Sequence, residues 1–241
     1  MAQYDQVRSV GAGARTAQID EGLRAHMNKV YALMSSGMGV TAAVAYFVGS
    51  NEALLAAIFS GPMRWVVMFA PLAVVFGFGA MIHRMSQTTA QAVFYGFAGL
   101  MGLSISYIFA VYTGISIVST FLTTTIAFAG LSLYGYTTKK DLSGFGTFLV
   151  MGVIGLLVAS VINLFLQSDA VAFAVSVLGV LIFAGLTAYD TQNIKNTYLQ
   201  MASANDQEWM GKAAIMGALN LYLDFLNMFM FLLQFLGQNR N

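Results

Sequence analysis

The chain has 241 residues, of which 58% are hydrophobic and only 9% are charged. Soluble domains carry about 25% charged residues, so this composition excludes an ordinary water-soluble surface and predicts a protein whose partner is the lipid bilayer. A net charge of +1, two histidines and no cysteine exclude a basic nucleic-acid interface, a multi-histidine metal site, disulfides and thiol catalysis.

Residues 1–29 form a polar segment of mixed charge without an apolar run. We therefore expect a cytoplasmic tail or a surface helix here, rather than a cleavable signal peptide. The apolar part of the chain begins at Val30.

Seven apolar segments follow, and each is long enough to cross a hydrocarbon core about 30 Å thick as a helix. Helix is expected because lipid offers no water to an open backbone, and the segments do not alternate as barrel strands do. The predicted fold is all-α: a polytopic membrane protein with seven transmembrane helices in residues 30–237 and a C-terminal tail at 238–241. The predicted spans are Val30–Val48, Val66–Ile82, Ala92–Val111, Ile115–Tyr136, Phe145–Leu166, Ala170–Tyr189 and Ala213–Leu236.

Lysine and arginine placement predicts the orientation of the chain, since cytoplasmic loops carry an excess of these residues. Nine cations lie in the N-terminal tail and the even-numbered loops, and two, Arg64 and Arg240, lie on the opposite side. This bias places the N-terminus in the cytoplasm, and an odd number of spans places the C-terminus outside. The nine cations are Arg8, Arg15, Arg24, Lys29, Arg84, Lys139, Lys140, Lys195 and Lys212.

Small residues and short breaks indicate which helices are neighbours. Gly96, Gly99 and Gly102 recur every three residues in the third span, which predicts close helix packing there. Only the short stretch Tyr112–Gly114 separates the third and fourth spans, so these helices are expected to be antiparallel neighbours.

Ionisable residues inside the spans are the strongest indication of a functional site. Asp224 lies about 16 Å into the seventh span by helical rise, near the membrane midplane. A carboxylate at this depth costs at least about 2.5–3.5 kcal/mol, so it should face the interior of the bundle. At about 100° per residue, one stripe of the helix carries a polar seam, which predicts a central position for this span. The stripe consists of Gly217, Asn220, Asp224 and Asn227.

Three ionisable residues, Asp224, Asp190 and Arg84, also have purely structural interpretations. Asp224 fits either an ion or proton path or a buried acid that joins helices by hydrogen bonds, and the path is favoured because intramembrane acids mark such paths. Asp190 closes the sixth predicted span, and this position fits an interfacial residue without a function equally well. Arg84 ends the second span on the same side as Asp190, and a topology anchor is its simpler interpretation.

Three stretches of the chain stand out as a set. They are Tyr189-Asp190-Thr191-Gln192 with Ile194-Lys195 following, Leu219-Asn220-Leu221-Tyr222-Leu223-Asp224-Phe225-Leu226-Asn227, and Lys139-Lys140-Asp141-Leu142. Together they resemble the Bax inhibitor family, the transmembrane Bax inhibitor motif proteins, in a bacterial form. Their order and spacing, with seven spans, match the family over nearly the whole chain after the N-terminal tail.

The resemblance implies six helices around a central seventh, and a calcium leak across the bacterial inner membrane that responds to pH. It implies that Asp190 and Asp224 form a hydrogen-bonded pair that acts as pH sensor and gate, with Arg84 as the latch on Asp190 in the closed state. Calcium would be the permeant ion, and no cofactor is expected. Some bacterial relatives carry an acid within the second span, whereas Val66–Ile82 has none, so a role for that acid is in doubt here.

A pair of aspartates is physically coherent as a sensor. Two neighbouring carboxylates in a low-dielectric site cannot both ionise cheaply, so they titrate as a unit. Calcium prefers oxygen ligands, which makes Asp190 and Asp224 candidates for transient calcium contacts. The predicted helix ends conflict with the pair, because they place the two residues roughly 10 Å apart in depth. Acid would weaken the attraction of Asp190 for Arg84 and favour opening, yet it would also remove charge that attracts calcium.

Two other functions are compatible with the sequence. One is regulation of a membrane-bound ATP-dependent protease, a partner of some bacterial relatives, with the polar N-terminal tail as the contact. The less favoured one is an intramembrane aspartyl protease, because two aspartates on consecutive spans also describe those enzymes. Their second motif has glycines before the catalytic aspartate, whereas Leu221, Tyr222 and Leu223 stand here and would block a substrate backbone. We therefore expect no enzyme activity.

Overall fold

The computed structural model describes the backbone of residues 2–202 and 206–240, and the side chains of residues 18–202, 206 and 208–240. Within these ranges the regular structure is helical, apart from one isolated bridge between Tyr112 and Asn239. A 3-10 turn, Ile82–Arg84, follows the third α-helix. The α-helices are α1 (Ala2–Gly49), α2 (Glu52–Phe59), α3 (Met63–Met81), α4 (Gln87–Ile105), α5 (Ile108–Val111), α6 (Gly114–Thr137), α7 (Ser143–Leu166), α8 (Asp169–Met201) and α9 (Gln207–Leu236).

Seven helical segments are long and apolar enough to cross a membrane, which confirms the predicted all-α polytopic fold. They are α1 from residue 18 onward, α3 with its 3-10 turn, α4 with α5, and α6, α7, α8 and α9. Polar side chains fix where several of them begin. Ser86, Thr113 and Ser168 each accept a hydrogen bond from a backbone amide in the first turn of α4, α6 and α8.

The outer faces of the bundle are apolar. Large side chains such as Phe76, Phe148 and Phe165 are more than half exposed, as expected of residues that face lipid tails. In its most apolar stretch, α7 buries 11% of its residues and α9 buries 61%, the lowest and highest shares among the seven spans. The seventh span is therefore the most buried.

The neighbours of α9 are the spans α8, α1, α6 and α4. Leu221, Tyr222 and Leu233 on its buried face are fully enclosed. By contrast, α3 packs mainly on α4, and α7 packs mainly on α8. The arrangement of all six other helices around α9 stays a prediction.

Two predicted boundaries differ from the structure. α8 continues to Met201, so Asp190 lies inside the sixth span and does not close it. α1 runs without a break through residue 30, and Leu23, His26 and Met27 of the predicted tail are buried. In both helices the polar part packs on the bundle through one face, and hydropathy alone does not detect this. The division between tail and transmembrane domain at residue 29 stays a prediction.

The predicted close packing of the third span is confirmed at one glycine and wrong at two. A Cβ at Gly102 would lie 2.6 Å from the carbonyl oxygen of Thr41 in α1. A Cβ at Gly96 or Gly99 would meet no described atom within 4 Å. Successive glycines are offset by about 60° around the helix, so Gly96 and Gly102 lie about 120° apart, and only Gly102 meets α1.

The C-terminal tail is hydrogen-bonded to the short turn between α5 and α6, a contact that the sequence did not predict. The Arg240 amide donates to the Val111 carbonyl at 2.8 Å, and the Thr113 amide donates to the Gln238 carbonyl at 3.1 Å. The Gln238 amide donates in turn to the Ser116 hydroxyl at 2.9 Å. These bonds hold residues 238–240 against the end of the bundle.

Candidate functional site

Two close contacts set the register between α8 and α9. A Cβ at Gly217 of α9 would lie 2.9 Å from the Ile194 side chain. A Cβ at Gly179 of α8 would lie 2.6 Å from the Phe231 ring. The two helices are therefore antiparallel and closely packed on both sides of the predicted site.

This register brings Asp190 and Asp224 together. They lie about one helical turn, or ~5 Å, apart along the helix axes. Side chains lean toward the N-terminus of their own helix, so in this antiparallel pair the two carboxyl groups lean toward each other. They are neighbours whose charges and hydrogen bonding interact. The conflict in predicted depth disappears because α8 extends beyond Asp190 and α9 begins earlier than expected.

The two carboxyl groups differ in their surroundings. Asp224 is only 4% exposed, and among the described residues its Oδ2 atom has no hydrogen-bond partner. Asp190 is partly buried. A buried polar atom without a partner costs about 1–3 kcal/mol. Asp224 is therefore a place where a proton, a water molecule or a cation would be stabilised.

Arg84 forms no ion pair with either aspartate of this pair. It ends the 3-10 turn after α3, its side chain is exposed, and none of the described carboxylates forms an ion pair with it. The neighbouring His83 ring stacks on Trp209 near the start of α9, with 5.2 Å between ring centroids. The latch between Arg84 and Asp190 stays a prediction.

The residues of the predicted polar seam of α9 do not all face the same part of the bundle. Gly217 and Asp224 face α8, as described above. The Asn227 amide donates to the Leu223 carbonyl at 2.8 Å, and its side chain lines a cavity of about 410 Å³ between α3, α4, α7, α8 and α9. Asn220 is half-buried, one turn before Asp224. Only part of the seam therefore belongs to the carboxyl pair.

A chain of three hydroxyl groups, which no sequence pattern indicated, leads from α1 to the residue after Asp190. The Thr191 hydroxyl donates to the Thr187 carbonyl at 2.7 Å and lies 2.9 Å from the Ser132 hydroxyl of α6. The Tyr31 hydroxyl of α1 lies 2.6 Å from that of Ser132. Because Thr191 uses its hydrogen within α8, Ser132 donates to Thr191, and Tyr31 donates to Ser132.

A second buried hydroxyl contact lies two residues before Asp224. Tyr222 is fully buried, and its hydroxyl lies 2.7 Å from the Thr41 hydroxyl. Thr41 itself donates to the Ala98 carbonyl at 2.8 Å. The tyrosine therefore donates to the threonine, and the two bonds connect α9 with α1 and α4.

The sixth-span motif holds the loop between α6 and α7. The Gln192 side chain accepts a hydrogen bond from the Leu142 amide at 2.8 Å and donates one to the Lys140 carbonyl at 2.7 Å. The Lys195 ammonium donates to the Tyr136 carbonyl at 2.8 Å and lies 5.2 Å from the centre of its ring. Two of the three stretches that carry the family resemblance are thus in direct contact.

Asp141 in the same loop serves as a local cap. Its Oδ1 atom accepts hydrogen bonds from the Ser143 hydroxyl at 2.6 Å and from the Ser143 amide at 2.9 Å. These bonds hold the pKa of Asp141 below its ordinary value of 3.8. The carboxylate is therefore ionised at neutral pH.

The described residues contain no group of three or more histidine, aspartate or glutamate side chains that would hold a metal ion. Asp190 and Asp224 alone offer fewer oxygens than the six to eight that calcium usually takes. A calcium ion at the pair would thus need additional oxygen atoms from the backbone, amide side chains or water.

The fold and the site together define a class of protein. It is a helical membrane protein of seven spans with a buried carboxyl pair between the last two spans. The family model described as inhibitor of apoptosis-promoting Bax1 matches residues 23–241, and the chain belongs to the Bax inhibitor family. It is 46% identical over 242 residues to an uncharacterised protein of Caulobacter vibrioides, covering 97% of this chain and 96% of that protein. It is 43% identical over 220 residues to the inner membrane protein YbhL of Escherichia coli strain K12, covering 91% and 94%.

Proposed function

We propose that this protein is a pH-sensitive calcium leak channel of the bacterial inner membrane, gated by Asp190 and Asp224. Membership of the Bax inhibitor family supports a non-enzymatic membrane function, since the family is generally non-enzymatic. The similarity to the inner membrane protein YbhL of Escherichia coli supports the location. The observation that carries the proposal is the burial of the Asp224 carboxyl group beside that of Asp190, between α8 and α9.

The carboxyl pair supplies both a proton site and oxygen atoms for a cation. Adjacent carboxyl groups titrate as a unit and lose their protons in two separate steps, so the charge between α8 and α9 changes stepwise with pH. Each ionised oxygen is a ligand that calcium accepts. The Oδ2 atom of Asp224, which lacks a partner among the described residues, gains one when a proton or a cation arrives.

Arg84 is proposed as the latch of the closed state. An ionised Asp190 attracts a cation, and the exposed Arg84 side chain stands on a short 3-10 turn at the end of α3. Protonation of Asp190 removes that attraction and releases the arginine. The described arrangement, in which Arg84 does not pair with Asp190, corresponds to the released latch in this scheme.

Proteolysis within the membrane is less compatible with the surroundings of Asp224. Leu221 and Tyr222 are completely buried, and Tyr222 is hydrogen-bonded to Thr41. A substrate strand beside Asp224 would have to displace both side chains. These contacts support a non-enzymatic function for the pair.

Contact with a membrane-bound ATP-dependent protease stays the alternative. The predicted contact segment lies largely in residues 1–17, whose side chains are outside the described ones. Affinity capture with the full chain and with a chain lacking residues 1–17 tests this alternative separately from ion flux, since the deletion spares the buried Leu23, His26 and Met27.

Calcium flux into liposomes tests the proposal. Purified protein is reconstituted with a calcium-sensitive dye inside, and flux is recorded from about pH 5 to about pH 8 for the parent and for the double variant Asp190→Asn with Asp224→Asn. We expect a leak that varies with pH in the parent and a flat profile in the double variant. Flux equal to that of protein-free liposomes at every pH would contradict the proposal.

A further inference from the structure

A groove of about 740 Å³ lies on the outside of the bundle between α1 and α6. Both helices pack against α9, whose Phe225 also lines the groove. Ser35, Gly39 and Ala42 of its wall are exposed, so the groove is open toward the lipid. Its volume is within the range of about 300–1,000 Å³ that small-molecule sites occupy.

The groove is polar at one end and mostly apolar along the rest. Arg24 and Asn28 line the end nearer the N-terminus, and both are exposed. Tyr31 and Tyr136 follow as rings with a polar tip. Such a gradient matches an amphiphile with a charged head and a hydrocarbon tail. The apolar lining beyond the tyrosines includes Met34, Met38, Phe121, Phe128, Ala129 and Phe225.

The apolar part of the groove has the length of one lipid leaflet. Along α1 it extends from Tyr31 to Ala42, about 16 Å by helical rise. Half of a hydrocarbon core of ~30 Å is about 15 Å. An acyl chain that enters beside Tyr31 therefore reaches the end of the groove near the membrane midplane.

Arg24 gives the polar end of the groove its charge. Among the described lining residues it is the one charged side chain, none of them is an acid, and none of the described carboxylates forms an ion pair with it. Lys195 adds a second cation beside Tyr136 at the same end. A cation near the membrane surface attracts an anionic lipid headgroup.

We propose that this groove binds one phospholipid from the leaflet on the N-terminal side, with an acyl chain along the apolar lining and its phosphate at Arg24. Tyr31 and Ser132 line the groove and also belong to the hydroxyl chain that ends at Thr191. The acyl chain thus lies against the hydrogen bonds that lead to the residue after Asp190. The site does not depend on the calcium proposal.

Native mass spectrometry of the full chain tests the site. The protein is taken from vesicles of equal parts palmitoyl-oleoyl phosphatidylglycerol and phosphatidylethanolamine, and the parent should retain one phospholipid, mainly phosphatidylglycerol. Gly39→Phe should lower retention about ten-fold, the effect of losing roughly two buried methylene groups. A Cβ at Gly39 meets no described atom within 4 Å, so the ring enters open space. Ala42→Phe is a second variant with the same expectation.

The headgroup contact has its own variant. Arg24→Gln should lower retention of phosphatidylglycerol about five-fold and weaken the preference for it by the same factor, since one cation near the surface contributes that much. An unchanged preference would overturn the phosphate contact.

Gly155→Phe in α7 is the matched control. Gly155 is exposed, has open space around its Cβ position and does not line the groove, so this variant should retain lipid as the parent does. Equal retention in the control and in both groove variants would overturn the site, as would a parent without bound phospholipid. If the parent instead carried one molecule of a second protein and no lipid, the lipid site would be overturned, and the groove would be the site of a partner helix.

Discussion

The backbone amide of Leu142 donates a hydrogen bond to the side-chain oxygen of Gln192, 2.8 Å away. Gln192 returns a bond of 2.7 Å to the Lys140 carbonyl, so one side chain of α8 satisfies two backbone groups of the loop between α6 and α7. The loop stretch and the sixth-span motif therefore form one structural unit. Asp190 stands two residues before Gln192 in the same helix.

Gln192→Ala should destabilise the protein by about 1–3 kcal/mol, because it leaves the Leu142 amide and the Lys140 carbonyl without their partner. Thermal unfolding in detergent measures the change. Gln200→Ala, an exposed glutamine of the same helix, is the control and should unfold as the parent does. Equal unfolding temperatures for the two variants would show that the Gln192 bonds contribute nothing.

Asp224→Asn should fold and insert but move the pH midpoint of calcium flux to lower pH, or abolish the dependence. The amide keeps the shape of the side chain. Two contacting carboxyl groups lose their second proton at higher pH than a lone carboxyl group, and the variant no longer has a second proton to lose. In the parent we expect the leak to rise as pH falls, because protonation of Asp190 releases Arg84. Flux at several pH values in identical liposomes measures this for the parent, Asp190→Asn and Asp224→Asn.

Asp141→Asn is the carboxyl control for that series. Because the pKa of Asp141 lies below 3.8, it is ionised throughout the tested range, and its replacement should leave the profile in place. Histidine is the residue type whose charge ordinarily changes between about pH 5 and 8, so His26→Gln and His83→Gln complete the set of controls. Superimposable curves for the parent and both aspartate variants would leave Asp224 as a purely structural acid.

Arg84→Ala should raise the resting calcium leak near neutral pH without loss of protein from the membrane. The reason is electrostatic: an ionised Asp190 would no longer have the cation that is proposed to hold the closed state. Leak from liposomes is compared with that of Lys139→Ala, another cation on the same predicted side. A leak equal to the parent's, at normal membrane levels, would return Arg84 to the role of a topology anchor.

The termini should lie on opposite sides of the membrane, with Met1 in the cytoplasm and Asn241 outside. Nine cations against two favour this orientation. Reporter fusions that are active on only one side of the membrane should give opposite signals at the two ends. The same signal at both ends would contradict an odd number of spans.

Gly135→Ala should destabilise the contact between α6 and α8. A Cβ at this position would lie 2.2 Å from the carbonyl oxygen of Ala188, a backbone atom that cannot rotate away. Such overpacking costs about 1–3 kcal/mol. Gly130→Ala in the same helix enters open space and should stabilise by about 0.5–1 kcal/mol instead. Thermal unfolding of both variants distinguishes the two effects. If Gly135→Ala were as stable as the parent, the close approach of α6 and α8 would be contradicted.

Hydropathy is sufficient to predict the spans, because lipid selects continuous apolar helices. It does not predict where they end. α8 continues from Asp190 to Met201 because Thr191, Gln192 and Ile194 of this polar stretch are buried against neighbouring helices. These contacts are between distant parts of the chain, so a local pattern does not contain them.

The carboxyl pair could be anticipated because acids are rare within apolar spans. The hydroxyl chain could not, since serine, threonine and tyrosine occur in membrane helices for many reasons and often bond to their own helix. Thr191 does so through the Thr187 carbonyl while also accepting from Ser132. Only the packing of α1, α6 and α8 makes these residues a connected set.

The bond between Arg240 and Val111 bears on the order in which the molecule is assembled. Residues 238–240 follow all of the described helices in the chain, and their amides and carbonyls pair with the turn between α5 and α6 and with the start of α6. Until residues 238–240 have been synthesised, this end of the third and fourth spans lacks those partners. This end of the bundle is thus completed only after the described helices have been made, and a chain that stops before residue 238 never acquires these bonds.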